Sequence, residues 1–359
     1  MSTTTLRTIS DIQTCVKENS QVHVVGKSTK SALSVATSDV TVMSLSGLTG
    51  ITEYEPEEYT ITANAGTPVQ EIQDALSKNG QYLPFDPMLS KTATIGGSVA
   101  SNLSGSRRFR YGGIRDFILG AHVVDGLGRA FRVGGKVVKN SAGFDLPKFL
   151  VGSLGKYAIF TDLTFKIFPE APAYLTLNLQ FGTLERVLSA IFFLNQSMFE
   201  LDALDFVAED SQWNMWIRMA GNEDTLPRRT ERLLNTLKNH TPFTTISEAI
   251  NDPVYWDRSN NLRWADNSTS VVKVVMSPKQ IPALDADLLP LAERRYSVGG
   301  NIAWVATEDL DALSLTLQKH QLTGLTVLGT SDAPIVGKPI DNVLSERIKH
   351  VLDPNNKLI

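Results

Sequence analysis

The sequence changes style at Phe168-Pro169-Glu170-Ala171-Pro172-Ala173-Tyr174, and this change constrains the fold more than any single motif. Before it, glycine turns punctuate short runs of strand-forming residues; after it, the elements lengthen and glycines thin out. Such a shift marks a domain boundary, and 359 residues suffice for two domains whose cores need no covalent staples. The expected architecture is α+β, with a first domain over 1–170, a second over 171–335, and a C-terminal helix over 336–359 free to return to the first domain.

Periodicity fills in the elements. In the first domain it predicts strands over Val22–Val25, Thr41–Leu45, Tyr59–Ala65, His122–Val124, Ala130–Val133 and Tyr157–Phe168, with Asp125-Gly126-Leu127-Gly128 as a hairpin turn. A helix over Thr67–Asn79 is signalled by Thr67 and Gln70 as a capping box, Pro68 at the first helical position, Val69, Ile72 and Leu76 on one face, and Gly80 as the stop. A short N-terminal helix carries Ile9, Ile12 and Val16 at helical spacing, with Ser10 and Gln13 as its capping pattern. Beyond Pro169 the order reads strand Leu175–Phe181, helix Leu184–Asn195, strands Leu204–Val207 and Trp213–Met219, helix Pro227–Lys238, strand Thr244–Ile246. That is the βαββαβ order of a ferredoxin-like unit. From Ser270 to Leu328 a further strand, helix, strand, helix and strand follow, then a helix over Asn342–Leu352.

Charge and cysteine usage exclude several functions. Lys+Arg at 34 against Asp+Glu at 38 leaves a net charge of −4, so nucleic acid is not an expected partner. Cys15 is the only cysteine, which rules out an intrachain disulfide, a zinc ribbon and a cysteine-held iron–sulfur cluster. A reducing cytoplasm fits this usage. The N-terminal stretch has no apolar signal core, and no apolar run approaches the roughly 18 residues of a membrane span, so peripheral association at the inner membrane would come through partners.

Three glycine-bearing stretches hold the candidate chemistry. In Val22-His23-Val24-Val25-Gly26-Lys27-Ser28-Thr29-Lys30 the strand breaks into a glycine followed by polar residues. A P-loop needs its first glycine five residues before Gly26, and that residue is Gln21. On its own the stretch reads as a strand-to-loop turn. In Phe85–Gly120, Gly96-Gly97 and the small residues Ser98, Ala100 and Ser101 allow close backbone approach, and a helix starting there would aim N–H groups at an anion. Arg107, Arg108, Arg110 and Arg115 crowd around Gly105, Gly112 and Gly113, a density that suits a phosphate-bearing cofactor or a solvated crossover. The third stretch, Gly134–Pro169, supplies Lys139-Asn140, Gly143, Asp145, a short helix over Leu146–Val151, and Gly152-Ser153.

Four segments, LSGLTGITEYEPEEYTITANAGTPVQEIQDAL, TATIGGSVASNLSG, GIRDFILGAHVVDGLGRAFRVGG and KNSAGFDLPKFLVGSLG, together resemble the FAD-binding domain of the vanillyl-alcohol oxidase type. Within that family they are most similar to the small FAD-binding subunits of bacterial glycolate oxidases. The resemblance implies a two-part FAD-binding domain followed by a ferredoxin-like cap domain. It implies a flavin pyrophosphate between two loops, the first carried by Gly26, Lys27, Ser28, Thr29 and Lys30, the second by Thr94, Ile95, Gly96, Gly97, Ser98, Ala100 and Ser101 with Pro87 upstream. Arg115, Asp116, Gly120, Gly152, Ser153, Gly155 and Ile159 complete the implied contacts. Three departures fall at implied cofactor contacts: Lys27 and Ser28 stand where the family has glycines, Gly152-Ser153-Leu154-Gly155-Lys156 replaces its usual G-S-x-G-T, and the family's terminal asparagine-proline-glycine is missing.

Catalytic side chains are not identifiable: His23, His122, His240, His320 and His350 lack metal-ligand spacing, and no Ser, His and Asp set suggests hydrolysis. Trp213 and Trp216 could cover a flavin or pack in a core. The resemblance therefore implies an FAD-dependent subunit supporting two-electron oxidation of glycolate or a related 2-hydroxy acid, alongside a larger flavoprotein subunit and an iron–sulfur subunit. A structural subunit that keeps the flavin fold without the flavin is the alternative.

Overall fold

The computed structural model describes every residue except 1–2, 37–38, 136–143, 210–211, 252, 267–268, 290–291, 331–333 and 341–342, so Lys139, Asn140 and Gly143 lie outside the described residues. The chain is α+β and divides into two units. The first comprises 1–105, 112–170 and 341–359, the second 106–111 and 171–340.

The first unit is itself built in two parts. Strands Thr3–Thr5, Thr41–Ser44 and Val22–Val25 form a parallel sheet with Thr41–Ser44 in the centre, and Leu358 bridges to Val22 on its outer side. A five-stranded antiparallel sheet runs Ile51–Glu55, Thr60–Asn64, Ala158–Lys166, Ile118–Asp125, Ala130–Gly134. Helices Ile9–Glu18 and Val69–Ser77 bury Ile12 and Val16 on one and Val69, Ile72 and Leu76 on the other, while Ile9, at the same helical spacing, is exposed. Their caps differ from the expected ones. Thr8 and Asp11, not Ser10 and Gln13, form the first capping box, and the Gln13 amide instead donates to the Gly128 carbonyl. Thr67 does not cap the second helix; its hydroxyl is taken up by the backbone of Gly50.

The second unit repeats one motif twice. Strand Ala173–Phe181, helix Leu184–Gln196, strands Leu201–Glu209 and Gln212–Gly221, helix Leu226–Lys238 and strand Thr244–Ile250 make the first βαββαβ half. Strand Ser270–Val275, helix Ile281–Leu288, strands Glu293–Ser297 and Ile302–Thr307, helix Leu310–Lys319 and strand Thr323–Leu328 make the second. In each half the sheet order is fourth, first, third, second strand. The two second strands pair antiparallel, through Phe206 with Tyr296 and Val207 with Arg295, so one nine-stranded sheet results once Ile335–Gly337 is added at an edge. Leu175, Leu177, Leu179 and Phe181 enter its core at every second position, as strand geometry requires. The second half has four strands where three were expected over Ser270–Leu328, because Glu293–Ser297 and Ile302–Thr307 are a hairpin around Val298-Gly299-Gly300-Asn301.

Candidate functional site

The first unit contains a groove of two adjoining, half-open clefts. Val24, Val25, Gly26, Thr94, Gly97, Ala100 and Leu154 line both. The polar end adds Lys27, Ser28, Thr29, Lys30, Leu33, Ser34 and Ser101. The apolar end adds Leu45, Ala65, Gly96, Gly155, Ala158, Ile159 and Phe160.

Strand Val22–Val25 delivers the first loop. Its pairing with Thr41–Ser44 ends at Val25, and the chain then turns through Gly26 to a left-handed Ser28 with φ of 51°. Gly26 lies so close to Thr94 that a Cβ there would be 2.3 Å from Thr94 Oγ1, so the two loops meet at a point where only glycine fits. Lys27 and Ser28 are exposed. Among the described residues, the N–H groups of Lys27, Ser28, Thr29 and Lys30 donate to no acceptor within the protein.

The second loop is the start of helix Ile95–Ser101, capped by Thr94 Oγ1, which accepts from the Gly97 N–H at 3.2 Å. Sequence reasoning expected this helix to turn its free N–H groups toward an anion. Instead they are engaged within the protein. Ile95 donates to the Thr67 carbonyl at 2.9 Å and Gly96 to the Ala65 carbonyl at 2.8 Å, while Gly97 is taken by Thr94. Gly96 is required for this packing, since a Cβ would sit 2.8 Å from the Ala65 oxygen. The free donors of the site therefore belong to the first loop.

Lys30 is the electrostatic centre of the polar end. It is 6% exposed, lines the cleft and has no carboxylate or hydrogen-bond partner on its ammonium among the described residues. Burial pushes its pKa down from 10.5 to about 8. An isolated ammonium in such a place is costly unless an anion joins it. Lys27, which stands at a family glycine, is the exposed neighbour.

The remaining residues implied by the resemblance fall into two groups. Gly155 and Ile159 line the apolar end. Pro87, Ile95, Ser98, Arg115, Asp116, Gly120, Gly152 and Ser153 line neither cleft. Pro87 bridges to Ser104, while Ile95 and Ser98 are buried on the helix. Asp116 caps its own turn by accepting from the Gly113 N–H at 2.8 Å, Arg115 is exposed, and Gly120 packs against the Gly135 backbone. Gly152 and Leu154 donate to the carbonyls of Val99 and Ala100, which closes the C-terminal end of the helix Ile95–Ser101. Leu154, left-handed at φ 54°, lines both clefts and was not singled out from the sequence.

Arg107 and Arg110 do not gather at the groove. Both belong to the second unit, where Arg107 meets Asp202 at 3.2 Å and donates to Tyr174 Oη at 2.6 Å, and Arg110 meets Glu200. Trp213 is buried in the core of the second unit, and Trp216 stacks on Tyr255 at 4.1 Å. His122 pairs with Asp162, His320 with Asp287, and His240 stacks on Phe193.

The lining suits a ligand with an anionic and an apolar part: free backbone donors, a buried cation and a close-contact glycine at one end, an apolar wall at the other. In sequence, residues 3–134 match the FAD binding domain family. Glycolate oxidase subunit GlcE of Escherichia coli (strain K12) is 37% identical over 185 residues, which are 51% of this chain and 51% of that protein. D-lactate dehydrogenase of Archaeoglobus fulgidus is 30% identical over 199 residues, 54% of this chain and 44% of that one. The chain thus matches about half the length of these relatives. Alkyldihydroxyacetonephosphate synthase superposes with a TM-score of 0.76 over 99% of this chain and 76% of its own, at 14% identity, a likeness of fold.

Proposed function

We propose that the chain, whose residues 3–134 match the FAD binding domain family, holds FAD in this groove. It serves as the FAD-binding subunit of an oxidoreductase complex acting on glycolate or a related 2-hydroxy acid. What supports the holding role above all is Lys30, a buried cation without a partner in a cleft whose loop offers free N–H donors. What supports the substrate class is the pair of relatives, whose names carry glycolate and D-lactate, both 2-hydroxy acids.

In this reading the backbone N–H groups of residues 27–30, the Lys30 ammonium and the Gly26–Thr94 contact hold the diphosphate. Leu45, Ala65, Ala158, Ile159 and Phe160 supply the apolar wall that keeps water from the other end of the groove. The bound flavin contributes a two-electron acceptor. The protein contributes position and charge. Cys15 alone cannot ligate an iron–sulfur cluster, so onward electron transfer falls to an iron–sulfur subunit, and hydride abstraction to a larger flavoprotein subunit of the same complex. Among the described residues no helix is long and apolar enough to cross a membrane. We place the protein in the cytoplasm, at the membrane only through its partners.

The test is the visible spectrum of the purified full chain. Flavin bands that leave with the supernatant after acid precipitation are expected, since among the described residues no histidine or cysteine lines the groove to form a covalent link. A folded, colourless chain that takes up no added FAD would instead favour a structural subunit that keeps the fold alone.

A further inference from the structure

Lys30 raises a question that holding a flavin in general does not answer. Its burial is a standing cost to the protein without ligand, and nothing on the elements that wall its cleft offsets it. The titratable groups there are His23 on the strand Val22–Val25, Lys27 and Lys30 on the loop, and Lys156 after Leu154; the turn 31–34 and the segment 94–101 have none. No carboxylate is among them. His23 is held neutral by its own burial, its pKa lowered from 6.5, and Lys27 is exposed. The first-loop N–H groups are unengaged, while those of helix Ile95–Ser101 are already bound to Thr67, Ala65 and Thr94. Among the described residues, the only buried positive charge facing this end of the groove is therefore on one side chain.

We propose that Lys30 is the residue by which this site selects a diphosphate-bearing flavin over the neutral riboflavin. The inference rests on the FAD-holding reading above and deepens it: recognition is concentrated in one charge on the first loop, not in the helix terminus or in Lys27. Two consequences separate this role from a packing role. Replacing Lys30 by methionine, of similar shape and no charge, stabilises the ligand-free protein while it weakens FAD binding. Purely structural residues lose both together. Moreover, binding by a group that titrates near 8 when the groove is free weakens as pH rises above that value, because a neutral amine must first take up a proton.

The experiment measures FAD and riboflavin binding to the flavin-stripped full chain by fluorescence quenching, together with thermal unfolding, for the parent, Lys30→Met and Lys27→Ala. The expected result is an FAD affinity reduced roughly 10- to 100-fold in Lys30→Met. Its riboflavin affinity is unchanged and its ligand-free melting temperature is higher, whereas Lys27→Ala binds FAD nearly as the parent does. From about pH 7 to about pH 9.5 the parent's FAD affinity falls above pH ~8, and that of Lys30→Met stays level. Equal FAD affinity in parent and Lys30→Met overturns the inference and leaves the FAD-holding reading intact. A folded parent that binds no FAD at any pH overturns both. A Lys30→Met protein that fails to fold contradicts the predicted stabilisation, and overturns the inference on that ground.

Discussion

Phe206 and Tyr296 stack with ring centroids 4.9 Å apart and 19° between their planes, and they form one of the two residue pairs that join the halves of the nine-stranded sheet. The Tyr296 hydroxyl donates to Asp285 Oδ1 at 2.7 Å, and Arg294 grips the same carboxylate through Nε at 2.6 Å and Nη2 at 2.9 Å. Burial first, then the Asp285 charge, pushes the phenol pKa up, so this donor stays protonated. Tyr296→Phe keeps the stack and loses one charge-assisted bond, a cost of about 1–3 kcal/mol. Tyr296→Ala also opens a cavity, and about 3–5 kcal/mol is expected. Urea unfolding of the two variants checks the ranking; equal losses would show that the ring contributes nothing beyond its hydroxyl.

Gly26→Ala places a methyl group against Thr94 Oγ1, the atom that caps helix Ile95–Ser101. Thr94 is 2% exposed and has little room to turn away. The two loops must separate, at about 1–3 kcal/mol of overpacking. We expect lower stability and lost flavin in the same variant, read by thermal unfolding and by absorbance per chain. A variant with the parent's flavin content would show that the contact between the loops is dispensable.

Gly97→Asp brings a carboxylate into the lining of both clefts, beside the cap atom. Repulsion of a bound diphosphate at close range is on the order of 4 kcal/mol at an effective dielectric of ~20. Gly97→Ala adds bulk without charge and is the control. Loss of FAD binding in the aspartate variant with retention in the alanine variant is the expected outcome; the same loss in both assigns the effect to bulk.

Acid should destabilise the first unit through His23. Its ring Nδ1 lies 3.3 Å from the Ile359 carbonyl oxygen, and burial lowers its pKa below the ordinary 6.5. The unfolded chain takes up a proton near pH 6.5 that the native chain takes up only at lower pH, so stability declines as pH falls from that value toward the native one. A His23→Gln variant keeps a polar side chain that does not titrate, and its stability should be flatter over that interval. An identical pH profile for parent and variant would assign the acid sensitivity to other groups.

The fold was legible where the local pattern decides it. Leu175 to Phe181 alternates into a core, Val69, Ile72 and Leu76 mark a helix face, and both are buried as their spacing demands. Strand Ile51–Glu55 was not read because its alternation leaves a largely exposed, polar surface. The hairpin of Glu293–Ser297 and Ile302–Thr307 did carry a signal, the Gly299-Gly300 turn between two β-rich runs, and a closer reading of that turn would have exposed the internal repeat. At the site, Gly26, Thr94 and Gly97 were found from motif resemblance. That the helix N–H groups are spent on Ala65 and Thr67 was not readable, because those partners come from a distant strand end. Nor was the burial of Lys30 beside the exposure of Lys27, since four adjacent polar residues look alike until the chain turns.

The first unit is closed by a segment that follows the whole of 171–340 in the sequence. Val22 donates to the Lys357 carbonyl and accepts from the Ile359 N–H, and the Lys357 ammonium holds the carbonyls of Val16 and Lys17. During synthesis the strand that delivers the first loop thus waits for its outer neighbour until the ribosome has passed 341–359. All of 171–340, together with 106–111, has by then emerged and can fold. A chain stalled or clipped before Leu358 would accordingly carry a finished second unit beside a first unit whose loop-bearing strand lacks its outer neighbour.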